Sequence, residues 1–192
     1  MGNVVPDPTV LPPNLPVPEN DGAANHLPGM RVPGIALAGT DGTQVNLADL
    51  AGVTVVYAYP RTGRPGEALP AGWDMIPGAR GCTPQSCAFR DHHAELKALG
   101  VHHLFGLSTQ DTAYQHEMAM RLHLPFPVLS DADRKLTEAL RLPTLIAAGM
   151  VLLKRLTLVI RDGVIEHVFY PVFPPDKSAE EVVAWLQDRP ST

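Results

Sequence analysis

The chain has 192 residues, 45% of them hydrophobic and 18% charged, with a formal net charge of −5 at pH 7. A chain of that size and balance folds as one globular domain around its own core, without disulfide staples. The negative balance excludes a phosphate-backbone partner, which needs a basic face, so no nucleic acid is expected.

The longest apolar run, "LIAAGMVLL" at 145–153, is too short to span a bilayer. The first twenty residues lack the basic start and apolar middle of a secretory signal, so the cytoplasm is expected and no membrane partner. In that reducing compartment a close pair of cysteines is catalytic or metal-binding rather than structural.

Prolines at 6, 8, 12, 13, 16, 18, 28 and 33 crowd the N-terminal stretch. Such a segment lacks backbone donors and favours polyproline II. Residues 1–27 are therefore expected to form an extended arm, and 28–192 the folded domain. "GIALAG" (34–39) and "TQVNL" (43–47) read as two short strands around a Gly turn, with Asn46 capping the turn that follows. "VTVVYAY" (53–59) is β-branched and nearly all apolar, the pattern of a strand buried on both faces, and it ends at Pro60.

Next come residues 61–81, "RTGRPGEALPAGWDMIPGARG", with no hydrophobic period. A connection this long inside a compact domain is usually functional or disordered. From Cys82 to Leu99, Phe89, His93, Leu96 and Leu99 recur at helical spacing. Beyond them "HHLFGLST" predicts a strand, "DTAYQHEMAMRLH" a helix, "FPVLSD" a short strand and "ADRKLTEALRL" a helix. "LLKRLTLVIRDGVIEHVFYP" predicts a hairpin turning at Asp162-Gly163. "SAEEVVAWLQ" closes as an amphipathic helix, with Ser178 as cap and Glu181 in the capping-box position. Alternating strands and helices followed by a hairpin and a helix specify an α/β fold: a central mixed sheet flanked by helices.

Cys82 and Cys87, the only cysteines, open the first long helix. A helix N-terminus favours an anion, and a thiolate is one. Five helical residues turn the second side chain away from the first and separate the Cα atoms by roughly 8–9 Å. A disulfide needs less than about 7 Å, so the pair cannot bond while the helix is intact. Three readings stand at this point: a reactive pair, two zinc ligands with His92 and His93, or two small core residues. The two histidines share one helix with the cysteines and diverge from them, which weighs against a tetrahedral metal site.

"GCTPQSCAFRD" (81–91) is similar to the "PGCTxQxCxFRD" signature of peroxiredoxins, specifically their Q-type, or bacterioferritin-comigratory, subfamily. "PGIALAGTDGTQVNLADLAG", "VVYAYP", "LFGLST", "FPVLSDAD" and "KRLTLVIRDGVIEHVF" resemble that family's further landmarks in the same order, over roughly residues 28–187. The resemblance implies a thioredoxin-like fold and a thiol peroxidase without cofactor or metal, acting on hydrogen peroxide and organic hydroperoxides. By the same resemblance, Cys82 is peroxidatic and Cys87 resolves its sulfenic acid as an intramolecular disulfide, which thioredoxin or a similar dithiol reduces. Arg155 matches the family's strand-borne arginine facing the peroxidatic sulfur, and Gln85 its first-turn glutamine. A monomer is expected over a dimer.

Two family positions differ. The threonine three residues before the peroxidatic cysteine is Ala79 here, and the proline seven before it is Met75. Pro60 ends the right strand, but the connection to Cys82 is about fifteen residues longer than the family pattern. Thr62 and Thr83 are the candidates to supply the missing hydroxyl. Trp73, Met75 and Ile76 are expected to wall an apolar entrance suited to organic hydroperoxides. Arg80 reads as a solvated loop residue or a second cation beside the thiolate, and Arg90-Asp91 as an ion pair. A general thiol–disulfide oxidoreductase, or a redox-sensing module that binds partners through residues 1–33, are the competing functions.

Overall fold

The computed structural model describes residues 7–189, so the start of the expected arm, residues 1–6, lies outside the described residues. β1 (Ala36–Gly39) and β2 (Gln44–Asn46) form the first hairpin, and β3 (Val53–Ala58) follows. Between them Asn46 accepts a hydrogen bond from the Ala48 amide and caps a single 3-10 turn, as its position before "LADLAG" predicts. α1 (Cys82–Asp91), α2 (His93–Ala98), β4 (Val101–Ser108), α3 (Thr112–Arg121), β5 (Val128–Ser130) and α4 (Lys135–Leu140) come next. β6 (Thr144–Ala147), β7 (Met150–Leu153), β8 (Leu156–Arg161), β9 (Val164–Phe169) and α5 (Ser178–Gln187) complete the chain.

Seven strands form one mixed sheet in the order β2-β1-β5-β4-β3-β8-β9. β3 pairs in parallel with β4 and antiparallel with β8, which buries it on both edges as well as both faces. Its side chains alternate between two cores. Val56 and Ala58 pack with Leu136 and Leu140 of α4 and with Leu27 and Val32 from the N-terminal stretch. Val55, Tyr57 and Tyr59 meet Phe89 of α1, Leu96 of α2, Met118 of α3 and Val182 of α5. The N-terminal part of α1 thus packs against the C-terminal end of the central strand.

Two local expectations change, and one further hairpin is added. The helix expected to run unbroken from Cys82 to Leu99 divides at His92, whose backbone leaves the helical region and whose ring Nδ1 lies 2.8 Å from the Ala88 carbonyl. That ring shares the carbonyl with the residue's own amide, a local side-chain competition that loosens the ladder. Ser178 is not a cap: it is the first residue of α5, buried, with its hydroxyl turned inward. Glu181 closes no capping box, and burial pushes its carboxyl up. The apolar run 145–153 is a separate two-stranded hairpin, β6–β7, turning at Ala148 and Gly149, both with positive φ.

The N-terminal stretch lies on the body. Val32 donates to the Gly163 carbonyl, Gly29 to Ile165, and Ile165 back to Met30, so residues 29–32 extend the β9 edge. Among the described residues no helix is long and apolar enough to cross a membrane.

Candidate active site

β3 delivers the chain to Tyr59, whose amide still pairs with Leu107, and Pro60 then ends the ladder. The 61–81 segment returns to the sheet at Gly81, which takes φ 109°. A Cβ there would run into Pro175 and Leu11, so the turn into α1 requires glycine on conformational and steric grounds. Cys82 is the first helical residue and only 3% exposed. It stands at a helix N-terminus, where the first-turn amides have no intrahelical partner.

Arg155 reaches this point from just before β8, on the sheet face that α1 and α5 cover. It sits in the two-residue link between β7 and β8, rather than within a strand, and is 3% exposed. Lys154 points outward to Asp21 at 2.9 Å, as alternation requires. Arg155 Nη2 lies 3.3 Å from Cys82 Sγ and 3.2 Å from each of the carbonyls of Gly78, Ala79 and Arg80. Its Nη1 donates to Gln85 Oε1 at 2.5 Å. Gln85 in turn donates through Nε2 to Ser178 Oγ at 3.2 Å, and Thr157 Oγ1 stands 3.5 Å from that hydroxyl.

No carboxylate is among the hydrogen-bond partners of this buried guanidinium within the described residues. Its partners are three carbonyls, one side-chain amide and the Cys82 sulfur. Ser178 and Thr157 escaped sequence reasoning. Ser178 carried a capping pattern that masked its inward role, and Thr157 lies in an ordinary strand.

The cavity beside the sulfur holds about 20 Å³, room for roughly one water. Cys82, Thr62 and Thr83 all line it, together with Trp73, Arg80 and Pro8. Thr62 is fixed by Gln110, whose Oε1 accepts from the Thr62 amide at 3.0 Å and from its hydroxyl at 3.3 Å. Pro60 is buried but is not one of the lining residues. At the family's threonine position, Ala79 offers only its carbonyl, 3.6 Å from the sulfur. The expected apolar entrance is not built: Trp73 lines the cavity, but Met75 is 77% exposed at the surface and Ile76 packs with the β6–β7 hairpin. Arg80 is neither solvated nor free; it is buried and paired with Asp74.

Cys87 lies farther along α1, half-buried and unbonded. Burial pushes its thiol up, and Asp91 adds to that while Arg90 and Arg121 oppose it. Arg90 and Asp91 form the expected ion pair at 2.9 Å. Between the two cysteines Tyr57 donates to Ser86 Oγ at 3.1 Å and stacks on Phe89. The histidines do not join the cysteines: His92 is on the Ala88 carbonyl and His93 lies against Phe126. Among the described residues no group of three or more His, Cys, Asp or Glu is placed to hold a metal.

Residues 27–183 match the family described as Redoxin. Peroxiredoxin Bcp of Escherichia coli K12 is 33% identical over 161 residues, covering 81% of this chain and 92% of that protein. The chain belongs to the Redoxin family, in its Q-type peroxiredoxin branch. The chloroplastic peroxiredoxin Q of Oryza sativa subsp. japonica is 31% identical over 161 residues, 83% of this chain. The chain spans about two thirds (66%) of that relative's length. Among solved structures, peroxidoxin BcpB of Mycobacterium tuberculosis superposes with a TM-score of 0.69 at 26% identity, covering 86% of this chain and all of that one. A Xanthomonas campestris bacterioferritin comigratory protein, 22% identical with a TM-score of 0.63, shares the fold. The Redoxin match begins at Leu27, which is fully buried.

Proposed function

We propose that this chain is a thiol-dependent peroxidase using Cys82 and Cys87. The observation that carries the reading is the Arg155 guanidinium 3.3 Å from Cys82 Sγ, at a helix N-terminus and beside a water-sized cavity. The Cys82 sulfur, as thiolate, attacks one peroxide oxygen; the O–O bond breaks, and the leaving oxygen takes up a proton to depart as water or an alcohol. Arg155 and the first-turn amides face the charge that shifts from sulfur to the departing oxygen. Thr62 and Thr83 are the hydroxyls that hold the peroxide in place of the family's threonine.

The sulfenic acid at Cys82 is then attacked by the Cys87 sulfur, releasing water and forming a disulfide within the chain. Because α1 holds the two residues apart, its first turns must unwind, breaking the Gln85–Ser178 and Tyr57–Ser86 contacts. An external dithiol of the thioredoxin class reduces the disulfide by exchange. The proposed state is a monomer in the cytoplasm, with no nucleic acid, membrane, metal or cofactor in the cycle.

Peptide-resolved mass spectrometry after one equivalent of hydrogen peroxide tests the scheme. A Cys82–Cys87 link within the monomer, with loss of two hydrogens, is the expected product. Two untouched thiols would sink the reading.

A further inference from the structure

We propose that Arg80 bolts residues 7–11 and the 61–81 segment together over Cys82 as a size filter. It admits hydrogen peroxide and excludes bulky organic hydroperoxides unless the N-terminal strap lifts. This deepens the peroxidase reading above and rests on it for the substrate class.

Arg80 is the residue two before the reacting cysteine, and it is only 6% exposed. Both terminal nitrogens of its guanidinium are engaged. Nη1 pairs with Asp74 at 3.1 Å, and Nη2 donates to the carbonyls of Asp7 at 2.9 Å and Val10 at 3.2 Å. One fork therefore joins the long segment to a stretch of chain some seventy residues earlier. The planar geometry of a guanidinium suits it to bridge acceptors on two different segments. The Arg80 carbonyl meanwhile accepts from Arg155 Nη2 at 3.2 Å. The same residue thus secures the strap with its side chain and the arginine facing Cys82 with its backbone.

The strap is where it must be to act on substrate. Pro8 forms part of the cavity wall beside Cys82, together with Trp73 and Leu69 of the long segment. Leu11 covers Gly81, immediately before the cysteine. With the strap down, the space at the sulfur is about 20 Å³. That volume takes a molecule on the scale of water or hydrogen peroxide, and not a branched or aromatic substituent on the peroxide. Residues 7–11 form no strand or helix, and the Asp7 and Val10 carbonyls are tied to the body through Arg80. Such a segment lies at the low-stability end of the fold and opens without global unfolding.

The test compares wild type with Arg80→Met, which keeps the apolar stem and removes the fork. Pro8→Gly/Leu11→Ala, placed on the strap itself, serves if Arg80→Met fails to fold. Two readouts are taken. One is the rate of Cys82 alkylation by iodoacetamide and by a bulky aryl maleimide, with Cys87 as the internal reference. The other is the consumption of hydrogen peroxide against cumene hydroperoxide with a recycling dithiol.

In wild type the maleimide and cumene hydroperoxide are expected to be disfavoured at Cys82. Opening the strap raises both bulky-to-small ratios by about tenfold or more, since a minor open state of a few per cent becomes the major one. The Cys87 ratio stays where it was. Arg80→Lys, which keeps the charge for Asp74 but loses the fork, falls between. Equal Cys82 ratios in wild type and variants overturn the filter. If neither peroxide is consumed but the alkylation ratios move as expected, the filter stands and the peroxidase reading falls.

Discussion

The two cysteines of α1 share a helix and almost nothing else. Cys82 is sealed, faces a guanidinium, and belongs to a lattice of polar contacts running through Arg155, Gln85, Ser178 and the carbonyls of residues 78–80. Cys87 is half-buried near Arg90, Asp91 and Arg121, and burial pushes its thiol above its ordinary range. Identical chemistry at the sulfur becomes two different reagents through surroundings alone. In the proposed cycle the first thiol reacts with peroxide, and the second follows once the helix opens.

The sharpest way to break that asymmetry is to remove each sulfur in turn. Cys82→Ser is expected to lower peroxide consumption by at least about a thousandfold, since the attacking atom is gone. Cys87→Ser retains the first chemical event, and dimedone should then trap a sulfenic acid at Cys82 that wild type passes on to a disulfide. A Cys87→Ser variant in which dimedone traps nothing at Cys82 would mean the division of labour is wrong.

The next largest effect belongs to the guanidinium. Arg155→Met should slow the stopped-flow oxidation of Cys82 by about a hundred- to a thousandfold, the usual consequence of losing a preorganised donor. Arg155→Lys recovers only part of this, because an ammonium cannot face Gln85, three carbonyls and a sulfur with one planar fork.

A smaller, graded effect separates the thiols by pH. The Cys87 thiol is raised above its ordinary range, so its anion is scarce at neutral pH and grows as pH climbs through and beyond that range. Disulfide closure after the sulfenic acid has formed should therefore accelerate with rising pH and slow as pH falls. A closure rate flat across that range would show that helix opening, rather than the thiol, limits the step.

Local signals in the chain were read correctly wherever one residue type had one physical solution. The β-branched run at 53–58 became the doubly buried central strand. Asp162-Gly163 became a hairpin turn with both φ values positive. The fold and the Cys82–Arg155 pairing were legible because an ordered set of landmarks, from "GCTPQSC" to "KRLTLVIRDG", carried them. What escaped depends on contacts between distant residues. Nothing near Arg80 announces that its acceptors are carbonyls at 7 and 10. Ser178 has a cap's sequence context, yet tertiary packing turned its hydroxyl toward Gln85. The β6–β7 hairpin did leave a signal, Gly149 inside an apolar run, but short apolar stretches do not distinguish strand pairs from a single buried element.

The long segment has one more consequence, which bears on redesign and on descent. Its Trp73 and Ala79 are buried against Ala147 and Leu152 of the β6–β7 hairpin, with Leu69, Ile76, Leu145 and Met150 around them. This is a third, private core shared by two excursions from the main sheet. Leu153 of β7 also reaches the main core, so trimming the segment would strip the hairpin of its packing at Ala147 and Leu152 while that anchor stays. The two pieces are a matched pair, to be grafted, swapped or deleted together.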